Sequence, residues 1–176
     1  MDDYISVLIP LYNHDKYILE CLTALENQTI KNFEVCIIDD GSTDNSAVML
    51  TEYMKKSSME ISFFKQENQG VCATLNKLVD ISKGNYIAVC ASDDFLTPSS
   101  LEIRLNAFKS SRIDAVIGDA YLVDDRGVVL SESSMEYLYA ASKVNLEKNI
   151  TLELVCRWSM VGPTLMLKKN VYEDIG

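Results

Sequence analysis

The sequence predicts an α/β protein with a mainly parallel central sheet flanked by helices. Three observations carry this expectation. Short apolar runs alternate with stretches of helical length from Ser6 to Gly118, the pattern of β-α-β units around a parallel sheet. The runs are apolar almost throughout, as strands covered on both faces are. Several of them end in clusters of Asp, Asn, Ser and Gly, at the carboxyl ends where open α/β sheets bind ligands.

Ser6–Pro10 (Ser-Val-Leu-Ile-Pro) reads as the first buried strand, ended by proline. Asp15–Gln28 places Ile18, Leu22 and Leu25 at helical spacing. Phe33–Ile38 is the second strand, closed by Asp39-Asp40-Gly41-Ser42. Asp44 suits the N-cap of a helix running to about Lys55. Ile61–Phe64 is a third strand and Val71–Ser82 a helix, with Gly84 suited to its C-terminal cap. Tyr86–Cys90 is the fourth strand and leads into Ala91-Ser92-Asp93-Asp94. Thr97-Pro98 opens the next helix, because proline fits the first helical position. Asp114–Gly118 is a fifth strand.

Beyond Gly118 the alternation stops. Tyr121–Val123 and Val128–Leu130 flank Asp124-Asp125-Arg126-Gly127, a hairpin signal. Ser133–Leu146 shows no clear period and reads as a loop or short helix. Leu152–Trp158 reads as helical, Thr164–Leu167 as a strand and Asn170–Ile175 as the start of a helix.

A chain of 176 residues suffices for one domain with a core and not for two full ones. Sixteen basic against 26 acidic residues give a net charge of −10. That balance argues against a nucleic-acid surface, which carries a basic stripe, and against a polybasic membrane anchor. Met1-Asp2-Asp3-Tyr4 lacks the basic start and apolar stretch of a signal peptide. No apolar run approaches the roughly 18 residues of a membrane-spanning helix. The five cysteines include no Cys-x-x-Cys pair and the chain has one histidine. Buried, reduced thiols in a cytoplasmic protein are therefore expected, rather than a zinc site.

Four polar segments are candidates for chemistry: Pro10-Leu11-Tyr12-Asn13, Asp39-Asp40-Gly41-Ser42, Asn68-Gln69-Gly70 and Ser92-Asp93-Asp94. Each also has a plain reading. Asp-Asp-Gly-Ser is turn chemistry, an Asp pair solvates a strand end, and His14 suits a loop or capping role. Their succession along the strand ends favours a site. Paired carboxylates there suit a hard divalent cation, which can neutralise a departing diphosphate. Asn68-Gln69-Gly70 precedes a helix N-terminus, where backbone N–H groups can face an anion. No Gly-rich phosphate loop, no dinucleotide fingerprint and no nucleophile elbow is present.

These segments, in this order, resemble the family-2 glycosyltransferases. The matching stretches are Ser6–Asn13, Leu25 with Gln28-Thr29, Phe33-Glu34-Val35 into Ile38–Asp44, Glu67–Gly70 with Asn76, Lys83–Ile87 into Ala91–Asp94, and Gly162-Pro163-Thr164 through Val171–Gly176. The resemblance implies the GT-A fold, a Rossmann-like nucleotide-binding architecture with a hairpin after the metal-site region. It implies transfer of a sugar from a nucleoside-diphosphate donor, a UDP-sugar foremost, to a saccharide or glycoconjugate acceptor, with inversion, in polysaccharide or glycoconjugate biosynthesis. By the same resemblance Pro10 and Tyr12 line the base pocket, Asp40 accepts a hydrogen bond from the base, and Asp39 supports it or meets the ribose. Gly70 and Asn76 line the donor pocket. Asp93 contacts the ribose, and with Asp94 it coordinates Mn²⁺ or Mg²⁺.

Two departures stand out. Ala91 occupies a position where many relatives carry Asp, leaving metal ligation to Asp93 and Asp94. The family's catalytic base lies beyond the position of Gly176, so none is assigned. On this reading residues 1–118 form the donor-binding half and 119–176 the start of an acceptor-side half of one domain cut at its C-terminus. Two rivals are a non-catalytic nucleotide-sugar-binding domain and a nucleotidyltransferase, although Tyr12–Lys16 lacks the glycines of the latter's loop. A receiver domain is disfavoured, since it leaves the tail unexplained.

Overall fold

A computed structural model describes residues 3–157 and 160–175. The chain divides into two compact units, one comprising the N-terminal 116 residues with 166–176, the other 117–165.

The first unit is built on a six-stranded sheet in the order β3-β2-β1-β4-β8-β5. Its strands are β1 (Ile5–Leu11), β2 (Phe33–Asp39), β3 (Glu60–Lys65), β4 (Tyr86–Val89), β5 (Ala115–Val116) and β8 (Met166–Lys168). β1 pairs parallel with β2 and with β4, and β2 pairs parallel with β3. β8 runs antiparallel to both β4 and β5, so it alone opposes the sheet. The connections are α1 (Ile18–Glu26), α2 (Ser46–Met54) and α3 (Val71–Ile81); α4 (Ser100–Ser110) precedes β5, and α7 (Lys169–Ile175) follows β8. Every residue of β2 is buried, and all of β1 except the half-buried Pro10. Ile18, Cys21, Leu22 and Leu25 of α1 close over them, as the apolar spacing requires.

The chain starts at the centre of the sheet, moves outward through β2 and β3, then returns across β1 to place β4 on its other side. This reversal is a switch point, and the crevice outside the carboxyl ends of β1 and β4 is where such sheets bind ligands.

Several expected boundaries shift for identifiable reasons. Gly84 does not cap α3. The helix ends at Ser82 in extended backbone, and Gly84 is instead a close-approach position, where a Cβ would lie 2.5 Å from Ser6 N. Its N–H donates to Ser6 Oγ (2.8 Å), and Ser6 Oγ donates to the buried Glu34 Oε1 (2.7 Å), which also receives Lys83 N (2.6 Å). Asp44 serves α2 one residue earlier than expected, its Oδ1 accepting Ser46 N at 2.9 Å while Asn45 holds the cap position. Pro98 precedes the first turn of α4, which is capped at Ser99. The expected fifth strand contracts to Ala115–Val116, and the eighth begins at Met166 after a 3₁₀ turn at Gly162–Thr164. Cys21, Cys36 and Cys90 are buried free thiols as expected, whereas Cys72 on α3 is exposed.

The second unit holds the expected hairpin, β6 (Leu122–Val123) with β7 (Val129–Ser131). Its turn is closed by Asp124, which accepts Arg126 N and Val128 N at 2.9 Å each, and by Gly127 at φ +77°. α5 (Ser134–Tyr139) is capped by Ser133 Oγ, which accepts Glu136 N at 3.1 Å. α6 (Lys143–Arg157) breaks at Asn149, whose Oδ1 accepts Leu152 N (3.1 Å) and so restarts the helix. The expected helical end at Trp158 lies outside the described residues. Among the described residues no helix is long and apolar enough to cross a membrane.

Candidate donor-binding site

The loops following β1, β2 and β4 are stitched to one another by side chains. β1 ends at Leu11, whose carbonyl accepts Asp40 N (2.8 Å). Tyr12 follows and is 46% exposed, so its ring is free to stack. Asn13 sits in the left-handed region at φ +54°, tolerated better by Asn than by most residues. Its N–H donates to Ser42 Oγ (2.9 Å) and its Oδ1 accepts Thr43 N (2.8 Å). His14 N donates to Ser46 Oγ, and Asp15 N to Asp44 Oδ2. At the switch point Ser92, buried after β4, donates to Pro10 O (3.1 Å).

The two carboxylates at the end of β2 are both buried. Asp39 Oδ1 accepts Ser42 N at 2.9 Å, the turn role that its sequence context also allowed. Gly41 serves that turn at φ +79°, and a Cβ there would lie 3.0 Å from Asn68 N. Asp40 is buried, and its Oδ1 accepts Gln66 Nε2 (2.7 Å) and Gln69 N (2.8 Å) while Oδ2 accepts Gly70 N (2.9 Å). The backbone N–H groups at the start of α3 thus do face an anion, and it is the chain's own Asp40. Gly70 adopts φ +83° to present its N–H there.

Burial alone would raise the Asp40 carboxyl, but the donors from Gln66, Gln69 and Gly70 outweigh it and hold the group below its ordinary range. A carboxyl lowered by folding stabilises the fold fully above its unfolded value, and that contribution is lost as pH falls through the lower folded value. Stability below about pH 4 is therefore expected to fall less steeply in Asp40→Asn than in the wild-type chain, read by urea unfolding at stepped pH.

Asp93 and Asp94 lie exposed on the loop after β4, where Asp94 N closes a turn onto Ala91 O. Although Asp94 as a residue is open to solvent, desolvation around its carboxyl, then repulsion from Asp93, raises it above its ordinary range, and His14 opposes the rise. His14 Nδ1 lies 2.7 Å from Ser92 Oγ and its Nε2 lies 3.8 Å from Asp93 Oδ2. Sequence spacing offered no sign of that meeting, nor of Gln66 reaching Asp40. Asn76 lies further along α3, where its Oδ1 accepts Tyr172 Oη of α7 at 2.6 Å. Among the described residues no three His, Cys, Asp or Glu side chains form a ready metal cage. Asp93 and Asp94 nonetheless fit a hard cation. They are adjacent, exposed oxygen donors whose mutual repulsion a divalent ion relieves, and they leave its other coordination positions open to a diphosphate.

Polar groups gathered outside the carboxyl ends of β1, β2 and β4, at a switch point, define an open α/β ligand-binding domain. The chain belongs to glycosyl transferase family 2, whose family model matches residues 6–175. It is 34% identical over 186 residues to the glycosyltransferase GlyG of Streptococcus pneumoniae serotype 4, spanning 99% of this chain and 60% of GlyG. It is 36% identical over 141 residues to the chondroitin synthase of Escherichia coli, spanning 80% of this chain and 20% of that protein. Among solved structures it superposes on S. aureus TarS 1-349 in complex with UDP-GlcNAc with a TM-score of 0.69 at 22% identity, covering 97% of this chain and 46% of that one. Against the Pyrobaculum calidifontis mannosyltransferase PcManGT, in complex with GDP-Man and Mn²⁺, the TM-score is 0.71 at 16% identity, covering 98% and 46%. The fold is therefore GT-A.

Proposed function

We propose that this chain is the donor-binding part of a glycosyltransferase that passes a sugar from a nucleoside-diphosphate donor, preferentially a UDP-sugar, to the hydroxyl of a saccharide or glycoconjugate acceptor in polysaccharide or glycoconjugate synthesis. The observation that carries this reading is the assembly of Tyr12, Asp40 and the Asp93-Asp94 pair around one switch point in a family-2 chain. The complexes of TarS with UDP-GlcNAc and of PcManGT with GDP-Man and Mn²⁺ support the donor class and the cation. The chondroitin synthase likeness supports the acceptor class.

In this reading Tyr12 stacks on the base beside Pro10, while Asp40 accepts from the base edge. Asp39 shapes the turn that meets the ribose. Gly70 and Asn76 lie on the donor side of α3, and Asp93 contacts the ribose. Asp93 and Asp94 hold Mn²⁺ or Mg²⁺, which supplies positive charge to the leaving diphosphate. The acceptor oxygen bonds to the anomeric carbon as the bond to the diphosphate oxygen breaks, with inversion. The base that removes the acceptor proton is assigned to no residue of this chain.

A thermal-shift series tests the donor and cation assignments together. UDP with Mn²⁺ is expected to raise the unfolding temperature by selective binding to the folded state, and UDP in excess chelator to raise it little. Equal stabilisation in chelator overturns the cation. No stabilisation by any nucleoside diphosphate overturns the donor reading.

A further inference from the structure

The hydrogen bonds around Asp40 fix which way the Gln66 amide is turned. Lys77 Nζ can only donate, and it lies 2.8 Å from one amide atom of Gln66 and 2.9 Å from Gln69 Oε1. The Gln66 atom facing Lys77 is therefore the oxygen, and the amide nitrogen is turned toward Asp40 Oδ1 (2.7 Å) and Thr74 Oγ1 (2.9 Å). Thr74 uses its proton on Gly70 O (3.0 Å), so it accepts from Gln66. A flipped amide would set its oxygen against the carboxylate and its nitrogen against the ammonium. Lys77 excludes that state.

Asp40 thus receives three N–H donors, two on Oδ1 and one on Oδ2. A carboxylate has about four acceptor positions, and Oδ2 takes a single N–H, from Gly70, so it keeps capacity for a further donor. Because these donors fix an ionised, acceptor-only group, the open position accepts a donor and repels a lone pair. Uracil N3 and guanine N1 carry a ring N–H, whereas cytosine N3 and adenine N1 carry a lone pair.

We propose that Lys77 and Gln66 form a specificity-determining relay that orients Asp40 as an acceptor for a nucleobase ring N–H, selecting uracil- or guanine-type nucleoside diphosphates over cytosine-type ones. Both are positioning residues that act through Asp40. The proposal rests on the reading above, in which Asp40 meets the base.

Calorimetric titration of the 176-residue chain with UDP and with CDP, each with Mn²⁺, separates the two claims. The wild-type chain is expected to prefer UDP, and Asp40→Asn to erase the preference. A wild-type chain that binds neither nucleotide or does not distinguish them, or an Asp40→Asn chain that keeps the preference, overturns the role of Asp40 itself. Lys77→Met and Gln66→Leu are expected to lower UDP affinity about tenfold, the scale of one hydrogen bond to a charged group, with CDP affinity little changed and Lys77→Arg near wild type. If Asp40→Asn erases the preference while Lys77→Met keeps it, or if Lys77→Met weakens UDP and CDP equally, the relay is overturned and Asp40 stands alone. Lys77 is only half-buried, so its variant is readable even where Gln66→Leu fails to fold.

Discussion

Asp94→Ala is expected to abolish the Mn²⁺-dependent part of UDP binding, a loss of more than about a hundredfold if Asp94 is a direct ligand, since even supporting groups around metal sites are worth roughly ten- to a hundredfold. The argument is electrostatic. A diphosphate approaches a chain of net charge −10 and, at the end of β4, two neighbouring carboxylates. Without a cation these groups repel it. With one, they become its anchor. Asp94 already registers the crowding, its carboxyl raised by local desolvation and then by Asp93. Removing Asp94 relieves that crowding and leaves one carboxylate to hold the ion. The exposed position keeps the fold intact, so thermal unfolding without ligand serves as the control. Calorimetric affinity for UDP with Mn²⁺ that matched the wild type would refute the assignment of Asp94.

Gly84→Ala is expected to cost more than about 3 kcal/mol of stability, beyond most overpacking substitutions, and to lower the urea midpoint accordingly. The added methyl carbon would lie 2.5 Å from Ser6 N, 2.7 Å from Ser6 Oγ and 2.8 Å from Ile5 C. Two of these are main-chain atoms of β1, paired on both sides at Ile5 and Ser6 with β2 and β4, and both residues are wholly buried. The one side-chain atom among them, Ser6 Oγ, is short and held by its bond to the buried Glu34, so it has little room to yield. Relief requires β4 to move away from β1, which also loosens the Ser92–Pro10 bond at the far end of the same strand pair. A midpoint within error of the wild type would mean that β1 and the start of β4 are not held this closely.

The central strands were legible because burial on both faces writes itself as unbroken apolar sequence: Val7–Ile9 and Val35–Ile38 could be little else. β8 was legible as a strand but not in its place. Three residues carry no information about direction, and the choice between extending the sheet and entering between β4 and β5 is made by tertiary packing. Gly84 was misread for a related reason. A glycine shortly after a helix suggests a cap, and the need it meets comes from Ser6, 78 positions away. The site divides the same way. Asp40, Asp93 and Asp94 are visible as carboxylates at strand ends. The donors that surround Asp40 arrive from Gln66, Gln69 and Gly70, and the histidine beside Asp93 arrives from the loop after β1. Those encounters exist only once the crossovers have brought the strand ends together.

The antiparallel strand near the end of the chain bears on how the molecule is made. β4 and β5 emerge from synthesis long before Met166, and among the described residues β5 bonds to the sheet through β8 alone. Until Met166–Lys168 has been made, β4 presents a bare hydrogen-bonding edge, the kind that recruits other chains. Half of the sheet is thus complete early, with β1, β2 and β3 joined by local crossovers, while the other half waits on a contact that spans some eighty positions and forms slowly for that reason. The nascent protein carries a nearly finished crevice at the ends of β1 and β2 and an unfinished flank, and its interval of exposure to aggregation is set by the ribosome's progress from Val89 to Lys168.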